Sequence, residues 1–563
     1  MQKLKKALAN REPSTHGPMA LNWFERRSNK RRSDEPVCYR RSLAGEIADV
    51  IPAGDLRMAM NQLWKLRLRA VVRVALGSAA IILLGLPFVD PAPTIARGLT
   101  SVSENRSEPL RPPLEYRSAN GVLAVTIVAA ETRVPLGDRT IDGSTFNGSY
   151  AGPILRLKPG DILKMHFINN LPQVTNVHFH GLEVSPQGHG DNSMYMIGPG
   201  KTWDYIIPIP KNHPPGVYWF HTHGHDFAEH QVMGGLSGTL VIEGFQDEVP
   251  ATKPLVERMF ALKEFSPSGL GKLNKVPKPV NGMIDTIAGQ VDPLVTMQPG
   301  ETQLWRFSGQ TANGYYRMRL AGLKLVEVGR DARPILHPHE VNEVIVGPSE
   351  RVDVLVTAAA AGAFHLMQAG SATGPAGDRF PRQALAEVVV ARNPALPEPA
   401  PLGPLVVNAP DQKPVPGDRI AAHRLVVFSE DPVTGLFFIN HQTFDPMRVD
   451  LKVPLGSIEE WTIRNSSQEL HVFHIHQLGF EVLSINGKPV PFQGLQDTID
   501  VPIHGEVKIR IPFTNPLMVG RFMYHCHILE HEDKGMMAQI EVFDPKTGPM
   551  KDMPGMDAKP HAG

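Results

Sequence analysis

One pattern limits the fold more than any other feature, because it occurs three times at domain-sized intervals. A short apolar strand enters a turn built on Pro and Gly and leaves as an alternating strand. The copies run from Pro153 to Phe167 around Pro159-Gly160, from Pro293 to Phe307 around Pro299-Gly300, and from Met447 to Ile463 around Pro454-Leu455-Gly456. The turn glycines are 140 and 156 residues apart, so the repeating unit is a whole domain. Polar alternation within each strand predicts one buried and one wet face, as in an antiparallel sandwich. A chain of 563 residues holds about three such domains at roughly 150 residues each. Its 50 glycines and 52 prolines, against 7% aromatic residues, supply the turns that an all-β chain needs.

A second repeat separates the domains by chemistry. Gly216-Val-Tyr-Trp-Phe-His221-Thr-His223 matches Gly520-Arg-Phe-Met-Tyr-His525-Cys526-His527, whereas the middle copy, Gly362 to Gln368, lacks the His-x-His pair. The first and third domains should therefore carry metal, and the second should be a spacer without ligands. Linkers fall near 245–255 and in the Pro-rich stretch from Pro394 to Pro416. The expected domains are 110–247, 255–395 and 405–545, followed by a Met-containing tail over 546–563.

Four histidine clusters supply the chemistry: His178-Phe-His180-Gly181, His221-Thr-His223, His471-Val-Phe-His474-Ile-His476, and His525-Cys526-His527 with His531 and Met536 beyond it. Residues i and i+2 of a strand share a face. That gives four imidazole pairs, 178/180, 221/223, 474/476 and 525/527, which is enough for three metal ions. Cys526 points the opposite way from His525 and His527. His471 has the opposite parity to His474, so it leaves the pairs and joins Cys526. His531 lies beyond the strand, and its place between Cys526 and Met536 assigns it there too. Two His, one Cys and a weak Met form a blue copper ligand set. Structural zinc would want paired cysteines or a closed set of four ligands. The lone His189, His225, His230, His504 and His561 are expected to be ordinary surface or core residues.

These motifs, H-x-H-G, H-x-H, H-x-x-H-x-H and H-C-H-x3-H-x4-M, occur in order, and through them the chain resembles the three-domain bacterial multicopper oxidases, laccases and copper-efflux oxidases, over about residues 115–545. The resemblance implies three cupredoxin-like Greek-key β-sandwich domains and four copper ions. It implies type 1 copper on His471, Cys526, His531 and Met536, and type 2 copper on His178 and His474. The type 3 pair would take His180, His221, His223, His476, His525 and His527. It further implies one-electron oxidation of a small reductant coupled to reduction of dioxygen to water. That reduction consumes protons, and Asp191 and Glu532 resemble the family's proton-relay acids. A copper-carrying protein without oxidase activity is one rival reading. A cell-division factor of the same fold that lacks the copper ligands is another.

Efflux oxidases tend to place Asp and Met where this chain has Ser467 and Glu469, and no Met-rich insert is present. The edge of the type 1 site around His471 and His531 is therefore expected to be open. Phenols and aromatic amines would be the main substrates. Cu(I) would be secondary, helped by the thioethers of Met550, Met553 and Met556.

Formal charge is balanced, 57 Lys and Arg against 57 Asp and Glu, which gives no reason to expect a nucleic-acid partner. Only Cys38 and Cys526 are present, so a disulfide is excluded if Cys526 is a ligand. Residues 1–57 are basic and irregular, and translation is expected to begin at Met58 or Met60. Residues 58–96 have the form of an export signal, a basic segment and then a 16-residue apolar run from Val74 to Val89. That run is slightly short for a membrane span. The expected location is the periplasm or another exported compartment, with a membrane anchor if the signal is not cleaved.

Overall fold

A computed structural model describes residues 107–266 and 283–550. The proposed extension, the export signal, Cys38, and Met553 and Met556 of the tail lie outside the described residues. Each Pro-Gly turn carries its chain from one sheet of a sandwich to the other. Gly160, Gly300 and Gly456 turn at φ of 93°, 83° and 94°, a left-handed conformation that favours glycine. In the first copy, Ile154–Leu157 lies in a five-stranded sheet and Ile162–Asn169 in a four-stranded one. The other copies do the same, with Leu294–Met297 crossing to Thr302–Gly309 and Leu451–Pro454 crossing to Ser457–Asn465. The result is three cupredoxin-like β-sandwiches, each closed around its own apolar core.

The sheets are mixed rather than purely antiparallel. The strand entering each turn pairs in parallel with a later strand, as in Ile154 with Thr239, Leu294 with Glu387 and Leu451 with Ile540. The strand leaving it pairs in parallel with an earlier one, as in Val122 with Ile162. The cause is the crossover, because a chain that changes sheet cannot return as a hairpin.

The metal-bearing edges of the first and third sandwiches are built alike. Gly216–His221 lies between Ser237–Ile242 and His178–His180, and Gly520–Cys526 lies between Met537–Phe543 and His471–Ile475. Register fixes which side chains share a face. His178 pairs with His221, His474 with His525, and Phe473 with Cys526. His471 has the parity of Phe473 and so shares the Cys526 face, whereas His474 shares the His525 face. A small apolar cluster of Trp219, Val232, Ala312 and Leu529 joins elements of all three sandwiches next to these edges.

Lys263, on Val256–Phe265 of the middle sandwich, reaches under the His221 strand. Its ammonium donates to Ser237 Oγ and lies 4.9 Å over the Tyr150 ring. Burial pushes it down to about 7, opposed by the neighbouring Glu264 carboxylate. The unfolded chain holds this proton more tightly, so the buried ammonium costs stability in full below pH 7, and the cost fades as pH rises toward 10. Lys263→Met is therefore expected to stabilise the fold at pH 6 by on the order of 3 kcal/mol, with a smaller gain at pH 9. Denaturant midpoints at the two pH values check this. A gain independent of pH would contradict a buried charge.

Candidate metal centres

The Gly520–Cys526 strand ends at its cysteine, and the chain then turns through the short helix Leu529–Asp533. That turn is held by Met536 N–H donating to the His531 carbonyl (2.9 Å) and Cys526 N–H donating to the Met536 carbonyl (3.1 Å). Three donors thereby converge. His471 Nδ1 lies 3.0 Å from His531 Nδ1, and Cys526 Sγ lies 3.5 and 3.6 Å from them. All three residues and Met536 are buried in or against the third core.

The outer nitrogens of this centre are also occupied. Ser467 Oγ is 2.7 Å from His471 Nε2, and Glu469 Oε1 is 3.3 Å from His531 Nε2. Phe437 stacks on the His531 ring at 4.1 Å. These partners orient both rings so that Nδ1 faces the thiol. Burial alone would raise the Glu469 carboxyl, but the facing His531 ring outweighs it and holds the carboxyl down to about 2. Burial likewise disfavours charge on His531, yet Glu469 and Cys526 together raise it well above the usual range. A metal at Nδ1 would leave Nε2–H to donate to Glu469.

The expected open edge is not what the structure shows. Ser467 and Glu469 are 2% and 5% exposed, and both imidazoles are buried. A hairpin of the middle sandwich, Ser371–Ala372 with Arg379–Phe380, lies over them, and Leu470 N–H donates to its Thr373 carbonyl at 2.6 Å. Local sequence around His471 carries no trace of a cover supplied from about 100 residues upstream.

On the opposite face of the same strand, the other eight histidines gather between the first and third sandwiches, all fully buried. His525 Nε2 lies 3.3 Å from His223 Nε2 and 3.2 Å from His476 Nε2. His178 stacks on His476 at 3.7 Å and His180 on His474 at 3.9 Å, each pair joining one ring from each sandwich. The His527 ring centroid is 5.0 Å from that of His180 and 5.3 Å from that of His221. Donor atoms within 4.8 Å of one another define sets of three, among them 223/476/525, 178/474/476 and 178/180/221. The structure thus brings the eight histidines of the four pairs together on one side and His471 and His531 with Cys526 on the other.

These rings fit metal ligands on two observations. Burial first, and mutual repulsion second, holds His180, His223, His476 and His527 well below the ordinary imidazole range, so they are neutral and keep a lone pair. In addition, His178, His221 and His474 each spend Nδ1 on a protein partner and leave a buried Nε2 without one. The partners are the Asp191 carboxylate (3.0 Å), the Thr222 carbonyl (2.8 Å) and the Asp497 carbonyl (2.7 Å). Unmet buried donors or acceptors cost about 1–3 kcal/mol each, so a cluster of them points to something they bind.

The two predicted acids flank this centre at opposite ends. Asp191 is buried on His178 and accepts from Phe179 N–H (3.0 Å) and Gln477 Nε2 (2.7 Å). Glu532 Oε2 is 2.9 Å from His525 Nδ1, and Oε1 is 3.5 Å from His223 Nδ1. His525 Nδ1 is also 3.0 Å from the Cys526 carbonyl, and neither Glu532 oxygen has a hydrogen-bond partner. Two residues that motif spacing does not reveal are Asp497, 3.2 Å from His180 Nε2, and Arg351 of the middle sandwich, which grips Asp497. The signal for Arg351 was a charged residue opening the apolar strand Arg351–Thr357. Among the lone histidines, His189, His225, His230 and His504 join none of the donor sets, and His561 lies outside the described residues.

Three family models, each described as multicopper oxidase, match residues 128–247, 268–386 and 416–546. The chain belongs to the multicopper oxidase family. Membership supports an oxidoreductase and implies copper binding. A multicopper oxidase of Staphylococcus haemolyticus is 29% identical over 412 residues, covering 70% of this chain and 83% of the relative. The cell division protein FtsP of Escherichia coli is 25% identical over 470 residues, covering 79% and 94%. Among solved structures, a multicopper oxidase of Campylobacter jejuni described as a metallo-oxidase is 27% identical with a TM-score of 0.65, covering 78% of this chain and 96% of that one. A laccase-like multicopper oxidase from Ochrobactrum sp., with activity toward lignin model compounds, is 25% identical with a TM-score of 0.66, covering 77% and 100%.

Copper-loaded protein is expected to be blue, and Cys526→Ser to abolish that band, because an alkoxide does not replace a soft thiolate. Met536→Leu is expected to keep the colour and raise the reduction potential, because the Met536 thioether would be a weak donor to a copper held by the other three residues. Visible spectra and redox titration of the two variants check both. A blue Cys526→Ser protein would place the thiolate elsewhere.

Proposed function

We propose that this chain is a four-copper oxidase that takes electrons singly from small reductants and passes them to dioxygen. His471, Cys526, His531 and Met536 would hold the type 1 copper, His178 and His474 the type 2 copper, and the remaining six histidines the type 3 pair. Bound copper would supply the one-electron chemistry at the first centre and the four-electron reduction of dioxygen to water at the second. The observation that supports this most is the strand end itself. Cys526 faces one donor set while its neighbours His525 and His527 face the other, so a single peptide links the two. A copper carrier, or a cell-division factor, has no use for that junction.

The chain's own groups account for the rest. Burial of all ten histidines shields both centres from bulk solvent. Asp191 and Glu532 stand at opposite ends of the eight-histidine centre, and we assign to them the holding and delivery of the four protons that each dioxygen consumes. His178 Nδ1 beside Asp191 and His525 Nδ1 beside Glu532 are the ring atoms nearest each acid, where it would act.

The covered edge changes the reading of the substrate. A bulky phenol cannot reach a ring sealed by Ser467, Glu469 and the 371–380 hairpin, whereas a small cation needs only a carboxylate. Glu469 lies on His531 and shares a hydrogen bond with Glu430, whose backbone-facing oxygen accepts from Gln468 N–H (2.8 Å). Asp378, on the hairpin, adds a third acid, pushed up to about 6 by burial first and then by the carboxylates of Glu530 and Glu469. We therefore favour low-valent metal ions such as Cu(I) over phenols and aromatic amines, in keeping with the relative described as a metallo-oxidase. We also assign the chain to an exported compartment, on the basic and apolar segments of 58–96.

Oxygen uptake under steady-state conditions tests the function. The wild type should show a higher kcat/KM for Cu(I) than for a substituted phenol. Glu469→Gln should lower kcat/KM for Cu(I) about tenfold or more and by a clearly larger factor than for the phenol, the loss common to both reductants coming from the loosened His531 ring. Phenol oxidation that is faster than Cu(I) oxidation and insensitive to Glu469 would overturn the substrate assignment. Absence of oxygen uptake by copper-loaded protein with either reductant would overturn the oxidase.

A further inference from the structure

The eight-histidine centre has a contact that the first and third sandwiches do not supply. Arg351 opens a strand of the middle sandwich and is 1% exposed. Its Nη1 donates to Asp497 Oδ1 (2.8 Å), and its Nη2 donates to Asp497 Oδ2, the two-pronged geometry that a guanidinium forms with a carboxylate. The fork is held from behind. Nε donates to the Val217 carbonyl of the first sandwich (3.3 Å), and Nη1 also donates to the Ser349 carbonyl (2.8 Å). Asp331 Oδ1 accepts from the Arg351 backbone N–H (3.2 Å) and lies 3.5 Å from Nη1. One buried guanidinium therefore ties together all three sandwiches.

Asp497 touches two of the eight rings. Its Oδ1 is 3.2 Å from His180 Nε2, and its backbone carbonyl accepts from His474 Nδ1 (2.7 Å). Gly181 leaves room for this arrangement. A Cβ there would stand 2.6 Å from Asp497 Oδ2 and 3.1 Å from Arg351 Nη2, which gives the glycine of the H-x-H-G motif a steric reason. His180 differs from its neighbours as a result. His178, His221 and His474 spend Nδ1 on protein and free Nε2, whereas His180 spends Nε2 on Asp497 and leaves Nδ1 buried and unpartnered.

We infer that Arg351 is a positioning residue for the dioxygen-reducing centre. By clamping Asp497 it fixes His180 as the tautomer with the proton on Nε2 and the lone pair on Nδ1. The middle domain is then part of the site's frame and not only a spacer. This rests on the oxidase reading above. Outer-shell partners of metal-bound histidines contribute about 10–100-fold in metal affinity or activity. Lys in place of Arg keeps the charge but cannot hold both carboxylate oxygens in a planar fork.

The test uses full-length copper-loaded protein and compares the wild type with Arg351→Lys and Arg351→Met. Three readouts are taken: the blue band, the paramagnetic signal of the type 2 copper, and copper released to a chelator over time. Both variants should keep the blue band. Both should lose copper from the eight-histidine centre faster, change the type 2 signal, and consume oxygen about 10–100-fold more slowly, with Arg351→Met affected more. Copper retention and spectra equal to wild type would overturn the inference. So would loss of the blue band in step with the other signals in both variants, since that reports collapse of the fold and not a displaced ring. If the wild type itself takes up no copper, the oxidase reading fails instead, so the two failures are distinguishable.

Discussion

Everything in this molecule depends on strand parity across two peptide bonds. Adjacent residues of a strand face opposite ways, so His525, Cys526 and His527 place one thiol on one side and two imidazoles on the other. No loop or helix fixes that division as firmly. The ladder of Gly520–Cys526 against His471–Ile475 then decides which partners each side receives, because Phe473 opposite Cys526 brings His471 to the thiol face. A slip of one residue would exchange the two sets and leave neither centre complete.

The second constraint is the burial of ten imidazoles. A charged ring in this interior would be deprived of water and repelled by its neighbours, so His180, His471 and His527 are held well below the ordinary imidazole range. Neutral rings have one nitrogen to donate and one to offer. The protein settles which is which by giving one nitrogen of each oriented ring a partner: Asp191, the Thr222 carbonyl, the Asp497 carbonyl and carboxylate, Ser467 and Glu469. His531 is the exception, because the Glu469 carboxylate beside its Nε2 favours the charged ring. The metal sites are thus encoded as much by what occupies the far side of each ring as by the rings themselves.

Much of this was legible in the chain. The threefold Pro-Gly turn, with its left-handed glycines, announces three sandwiches, and parity separates His471 from the i, i+2 pairs, because both are local properties of a strand, whereas His531 lies beyond the strand and is assigned by its position between Cys526 and Met536. Asp191 and Glu532 were reachable because each lies within a short loop of a ligand. What local reading missed comes from contacts between distant segments. The mixed pairing of the sheets follows from crossovers, not from alternation. The hairpin over His471 and His531 and the guanidinium behind His180 both arrive from the middle domain, which carries no ligand motif to draw attention to it. The expectation of an open type 1 edge failed for that reason. Ser467 and Glu469 were singled out for the side chains they lack, whereas their effect comes from the hydrogen bonds they make and the cover above them.

The middle domain therefore accounts for the architecture better than its missing histidines suggest. Two sandwiches suffice to bring eight imidazoles together, yet each contributes half of every stacked pair, so their relative placement must be held to a fraction of an ångström. An apolar interface alone is a poor device for this, since packing tolerates small sliding more readily than a two-pronged ion pair does. Arg351 bonds to Val217 of one sandwich and Asp497 of the other while anchored in a third. The same domain lays the 371–380 hairpin against the segment that carries Glu469 and Leu470. On the function proposed above, a domain without the histidine motifs thus acts at both centres, at one by limiting what can approach and at the other by fixing how a ring is turned.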